Sequence, residues 1–346
     1  MKNFSDFPKS IFSGDYRTGH CQGIAVDTKN RVIYYSFTTQ LVKTDFDGNF
    51  LGSEGCLLGH LGWIQFRASD GLVYASLEYN NDAIGRVILQ KNNAESIENA
   101  FYIAVFDGEK ITRADMDAEK DGIMTAVYLK EVLDDYMAEG HRYGCSGIDG
   151  TTFAPLPGKV DGKKYLYVSY GVYGDVERTD NDYQVILRYD TSDWEKYEKA
   201  LNQADMHKCG PKQSDDKYFV YTGNTRYGIQ NLEYDPVTNY MFATVYAGRK
   251  EQFPNYDIFV IDLSKDAADS NLRGLNQEGK ELFLAEVGEL DKVSGVRGYY
   301  FPYGATGIIS LGDGYFYFSQ NYKNENGYGT NVKLYQYDVN KGFQEV

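Results

Sequence analysis

No stretch of this chain carries the run of about 18 apolar residues that crosses a bilayer. The opening segment, Met1 to Phe7, lacks the apolar centre of a signal peptide, so the sequence as it stands reads as cytoplasmic with no membrane partner. Cysteine is scarce. Cys21, Cys56, Cys145 and Cys209 have neither the spacing of a zinc site nor the density of a disulfide scaffold, and they read as free thiols. Positive charge is in deficit too: 35 Lys and Arg face 50 Asp and Glu, a net charge of −15 that repels phosphate backbones and anionic lipid. Nucleic acid is excluded as a partner. Phrases of the GxSxG, Walker, Rossmann and HExxH types are absent. Only 7 prolines stand against 32 tyrosines, a balance that suits pleated sheets packed with aromatic side chains.

What the chain does have is a phrase repeated five times: a Gly-bearing turn, an apolar strand, a Gly/Asp/Asn turn and a Tyr-rich strand. The copies begin at Gly19, Gly59, Tyr143, Tyr227 and Tyr303. Units that cannot bury their own apolar faces must stack on their neighbours, and five of them argue for a closed radial array. The predicted fold is all-β, a single five-bladed β-propeller over residues 1–346, at about 70 residues per blade. Blades are expected at about 14–58, 59–140, 141–224, 225–296 and 297–346 plus 1–13. The last blade runs out one strand short, so the N-terminal strand, Phe7 to Phe12, is expected to complete it and close the ring. Leu282 to Val287 is expected as the outer strand of blade four.

Three features interrupt this pattern. A long excursion, Tyr79 to Asn99, splits blade two, and loops of that length are functional or disordered. Leu129, Val132, Leu133, Tyr136 and Met137 fall at helical spacing, and Ser192-Asp193-Trp194-Glu195 reads as a capping box opening a second helix. Asp115 to Gly122 superficially resembles a calcium loop, but Lys120 stands where that loop requires Gly, so it reads as an acidic hairpin turn.

In a propeller the first strand of each blade lines the axis, and the loops leading into those strands share one mouth with the loops joining second and third strands. Three of the four histidines, His20, His60 and His141, fall in these leading loops, each after a Gly. Either each caps a strand, or they converge as acid and base or as ligands of one divalent metal in the channel, with Gln22 and Gln230 as oxygen donors. Arginine shows the same bias. Arg17, Arg142, Arg226 and Arg297 precede first strands, and Arg86, Arg178 and Arg249 lie in the neighbouring loops, seven of 12 in all. They read either as partners of nearby acids or as a selection for an anionic ligand. Trp63, Tyr143, Tyr173, Tyr227, Tyr246 and Tyr303 would offer platforms for a sugar ring. Glu78, Asp175, Glu177 and Glu233 are the candidate acids, with Glu233 the one placed in the catalytic set. Cys145, four residues after His141, could act as a nucleophile or as a packing thiol.

Gln22-Gly23-Ile24 and Gln230-Asn231-Leu232-Glu233-Tyr234 resemble the Gln-Gly-Leu and Asn-Glu-Leu-Glu phrases of plant-type glutaminyl cyclases, which are five-bladed propellers. The resemblance covers two inner strands, and Gln230 and Asn231 stand where that family has Asn and Glu. It implies the fold and not the cyclase activity. The leading functional expectation is a lyase or hydrolase acting on a small anionic sugar or oligosaccharide at the mouth. A non-catalytic propeller binding a glycan or peptide is one alternative, and a nucleotide phosphohydrolase with a central calcium is another.

Overall fold

The computed structural model describes residues 7 to 346. Five antiparallel sheets form the blades, and their inner strands touch in a closed cycle, one to two, two to three, three to four, four to five and five back to one. Blade one contains Cys21–Asp27, Val32–Phe37, Gln40–Asp45 and Phe50–Gly55, and blade two contains His60–Arg67, Leu72–Tyr79, Ala100–Phe106 and Met124–Tyr128. Blade three is built from Cys145–Ala154, Tyr165–Val172, Tyr183–Tyr189 and Asp216–Tyr221, blade four from Thr225–Asp235, Tyr240–Ala247 and Ile258–Asp262, and blade five from Ile308–Gly312, Tyr315–Asn324 and Gly327–Asp338. The protein is a five-bladed β-propeller.

Each junction between adjacent blades holds one apolar cluster, because each strand presents alternate side chains to the two faces of its sheet and every sheet is covered on both sides. Ring closure follows from this packing. Ser10–Phe12 pairs antiparallel with the last strand of blade five, Ile11 opposite Val332, and buries Ile11 in the cluster between blades five and one. That last strand, Gly327–Asp338, also pairs with Gly342–Glu345. Residues 1 to 6 of the expected closing segment lie outside the described residues.

The outer strand expected for blade four, Leu282 to Val287, does lie along that blade's edge as a short stretch: Asp262 N donates to Phe283 O at 2.9 Å and Ala285 N to Val260 O at 2.7 Å about an antiparallel bridge between Ile261 and Leu284. Just before it, Glu278–Leu282 runs parallel to Asp216–Tyr221 at the outer edge of blade three, and Ala268–Asn271 adds beyond it. The capping box is corrected. The Ser192 hydroxyl donates to Asp190 at 2.7 Å instead of capping, and only a single turn, Trp194–Lys196, follows. The expected helix before blade three forms at Lys130–Met137, and the blade-two excursion folds into helix α1, Ala83–Lys91, which the Asp82 side chain caps by accepting from Gly85 N at 2.7 Å. The acidic turn is held from within, Asp117 accepting from the backbone of Glu119 and Lys120.

Candidate active site at the upper mouth

The inner strands of blades one to four are not regular at the end where the chain enters them. Their pairing slips between Cys21 and Gly23, Leu61 and Ile64, Ile148 and Thr151, and Ile229 and Asn231. A bulge leaves its extra residue outside the ladder and re-aims its side chain. Gln22, Asp149 and Gln230 are such residues, and all three line one cavity of about 290 Å³ with His20, His60 and Glu78. In blades one, three and four the repeated Gly-bearing phrase is therefore the device that turns one polar side chain toward the axis.

Two carboxylates clasp blades two and three. Glu78 Oε2 accepts from Ile148 N at 3.1 Å, and Asp149 Oδ1 accepts from Trp63 N at 3.2 Å. Glycine makes the exchange possible: a Cβ at Gly147, whose φ is +141°, would collide with Glu78 Oε2, and one at Gly62 would collide with Asp149 Oδ1. His60 lies directly across the strand pair from Glu78. Its Nδ1 sits 3.3 Å from Glu78 Oε1, off the line of a hydrogen bond, so the contact is electrostatic and Nδ1 keeps no hydrogen-bond partner.

The electrostatics separate these groups. Burial drives the Asp149 carboxyl up, and the nearby Glu78 adds to this while His60 opposes it, leaving Asp149 at about 7. Burial pulls His60 down, but the closeness of Glu78 and the charge of Asp149 outweigh it and raise His60 above its ordinary value. His20 goes the other way, to about 4, because burial and the charge of His60 both disfavour its protonated form. Tyr246, on the cavity wall, is pushed up to about 12 by burial and by Asp149. A proton-holding carboxyl, a neutral imidazole and a carboxylate-flanked imidazole thus share one small space.

A second cavity of about 420 Å³ adjoins the first, sharing His20, Gln22, His60 and Ile84, and its far wall carries Arg17, Val87 and Lys91. Helix α1 stands between the two, so the long excursion of blade two forms part of the mouth. A wider void, about 660 Å³, lies at the opposite end of the channel, where the inner strands finish near Asp27, Arg67, Phe153 and Tyr234.

Of the residues expected at the site, His20, His60, Gln22, Gln230 and Tyr227 do line the upper cavity. Several others do not. His141 is held away between the rings of Tyr136 and Tyr173, at 5.0 and 5.1 Å, so the three histidines do not converge. Among the described residues no group of three or more His, Cys, Asp or Glu is placed to hold a metal ion, and the expected metal site at His20, His60 and His141 is corrected accordingly. Glu233 lies at the opposite mouth, accepting from Ser310 N at 2.9 Å. Trp63 is wholly buried on the axis with its indole N–H donating to Thr151 O at 2.5 Å, so it is a core residue and not a sugar platform.

Arg142 is taken up by the buried Asp135 at 2.6 Å, and Arg226 donates to Ala247 O at 3.0 Å. Tyr143 packs edge-on to Phe219 and shares a hydrogen bond with Gln277, and Tyr303 packs beside Phe301. Cys145 is buried with its thiol donating to Gly147 O, and burial pushes it well up, which makes it a packing thiol. Asp149 escaped the sequence reading altogether. Its signal was an acid directly after the Gly-Ile step of the repeat, inside an otherwise apolar strand.

No family model matches the chain, and no curated protein matches its sequence. Solved structures overlay it at low similarity. A GH43 β-1,3-galactosidase matches with a TM-score of 0.43 and 11% identity over 96% of this chain and 97% of that one. A luciferin-regenerating enzyme gives 0.41 and 10% over 96% and 94%, and the soluble aldose sugar dehydrogenase from Escherichia coli gives 0.40 and 10% over 94% and 98%. Likeness at this level carries no argument about chemistry; the blade count rests on the strand pairing. Among the described residues no helix is long and apolar enough to cross a membrane.

Proposed function

We propose that the protein is an acid–base enzyme that hydrolyses a glycosidic bond at the upper mouth. The observation that carries this reading is the joint placement of Glu78 and Asp149 beside His60 in one cavity, with Asp149 at about 7. A carboxyl that titrates at about 7 is about half protonated at neutral pH and can deliver its proton to a leaving oxygen, while Glu78 supplies the second carboxylate that glycoside hydrolysis uses as base or nucleophile. His60 would tune both, and Tyr227 and Tyr246 would flank the sugar ring. Elimination is less well served, since no guanidinium or ammonium lines this cavity to stabilise an enolate. The same fact removes the reason for naming an anionic sugar at this position.

A panel of p-nitrophenyl glycosides tests the reading. The wild-type protein is expected to release nitrophenol from at least one, and on an alkyl glycoside of the same sugar, whose leaving oxygen needs a proton, Asp149→Asn, which keeps an acceptor for Trp63 N, is expected to lower kcat by about 10²- to 10⁴-fold with the fold intact. Turnover unchanged in Asp149→Asn overturns the assignment. Binding of sugars without any turnover by the wild type replaces it with the non-catalytic propeller.

A further inference from the structure

We infer that the adjoining cavity, between Arg17 and helix α1, seats an apolar group ending in a carboxylate, and that this group is the aglycone of the substrate. The inference rests on the hydrolase reading above and adds the substrate class. The two joined cavities carry opposite charge. The upper one is lined by Glu78, Asp82 and Asp149 and by no lysine or arginine, whereas the adjoining one, about 420 Å³, is lined by Arg17 and Lys91 and by no aspartate or glutamate. His20 and His60 belong to both, so they do not set the difference. In a chain with 50 acids against 35 bases, an acid-free cavity beside the candidate active site runs against the composition. Neither Arg17 nor Lys91 is within ion-pair distance of an Asp or Glu among the described residues.

A second, independent feature is the face that α1 turns to this cavity. Ala83, Ile84, Val87, Ile88 and Lys91 follow one another at the spacing of a single helical face, and all five line it. Ile88 is buried, but Ile84 and Val87 are 43% and 50% exposed, so the cavity has an aliphatic wall left open to water. Arg17 comes from the loop leading into blade one and Lys91 from the last turn of the helix, so the positive charge is supplied by two separate elements. A ligand that gains from all of this has an apolar body to cover Ile84 and Val87 and an acid to meet the guanidinium fork of Arg17, with Lys91 as the second cation. Ile84 lines both cavities, so one glycoside can extend from the upper cavity into this one. The carboxylates of the upper cavity repel the acid, which sets the direction in which the substrate lies.

Calorimetry at neutral pH with three fragments tests the inference: 3-phenylpropionate, 3-phenylpropanol, which has the same body without the charge, and acetate, which has the charge without the body. 3-Phenylpropionate is expected to bind at least about tenfold more tightly than either of the others, with an affinity that falls as salt is raised. The double variant Arg17→Gln, Lys91→Gln changes two exposed side chains and is expected to erase the advantage over the alcohol. Val87→Ser is expected to weaken the acid and the alcohol alike and to leave their ratio unchanged. Alcohol or acetate binding as tightly as 3-phenylpropionate, no binding of 3-phenylpropionate, or binding unchanged in the double variant overturns the inference. Because binding is read without turnover, acid-selective binding in a protein that cleaves no glycoside would overturn the hydrolase reading and leave the carboxylate seat standing. Cleavage of p-nitrophenyl glycosides without acid-selective binding would overturn the seat alone.

Discussion

The two ends of the channel carry the same kinds of group and use them differently. The lower mouth has the larger void, about 660 Å³, and a glutamate, Glu233, that burial holds well above the ordinary carboxylate range. The upper mouth has less than half that volume in its deep cavity, yet it gathers two histidines and three carboxylates from three blades. At the lower end Glu233 has no titratable partner of opposite kind, and Lys164, the nearest cation to it, stacks over the Tyr234 ring. Volume and a shifted acid do not make a catalytic site on their own. Bulged inner strands and glycine clearances do, because they let side chains of neighbouring blades reach into one another's ladders.

The largest expected effect separates the mouths by activity. Asp149→Asn should lower kcat by about 10²- to 10⁴-fold on an alkyl glycoside the protein cleaves, whereas Glu233→Gln at the other end should leave it within about twofold, as read by steady-state kinetics. Equal losses from both would erase the distinction. Next comes the plug between the mouths: Trp63→Ala should cost about 3 to 5 kcal/mol in urea unfolding, since it removes a wholly buried indole and its hydrogen bond. Gly147→Ala should cost about 1 to 3 kcal/mol, because it forces a Cβ onto a backbone at positive φ and against Glu78. A silent Gly147→Ala would mean that the carboxylate clasp is not as tight as it looks.

The pH dependence of stability divides the upper mouth within itself, since the contributions of its two shifted groups differ in sign. Asp149 has a folded value of about 7 against an ordinary 3.8, so the folded state holds a proton that the unfolded chain gives up, and stability falls as pH rises from about 4 to 7. His20 is lowered to about 4 from 6.5, so here the unfolded chain takes up the proton first, and its contribution is full above about 6.5 and lost as pH falls toward 4. Denaturation across pH 4 to 7 should therefore show Asp149→Asn gaining on the wild type as pH rises and His20→Asn gaining as pH falls. Parallel curves for wild type and both variants would contradict the burial of these groups.

The fold was legible because repetition is a property of the chain: five copies of one phrase, with the strand deficit in the last blade met by Ile11 and its neighbours. The stretch expected at blade four's edge was also met, through Phe283, Leu284 and Ala285. What was not legible is the strand just before it: Glu278–Leu282 adds in parallel to blade three, and no feature of Glu278–Leu282 itself marks that edge. At the site, the leading-loop rule found His20 and His60 but also collected His141, whose ring is captured by two tyrosines. The arginine bias was met only in part, since Arg17 lines the adjoining cavity while Arg142 answers a buried Asp135 from the preceding helix and Arg226 donates to Ala247 O. Asp149 was hidden because strand periodicity treats an inner-strand residue as facing one side or the other, and a bulge breaks that parity.

The central claim is that Asp149 is a proton-holding acid set by its place between blades two and three. Carbon-13 NMR of the aspartate side-chain carboxyls, followed from pH 3 to 9 in the wild type and in Asp149→Asn, tests it most directly. One resonance is expected to titrate near pH 7 and to be missing from the variant. If the resonance lost in the variant titrates near 4 instead, like an ordinary aspartate, the acid–base centre is not where this account puts it.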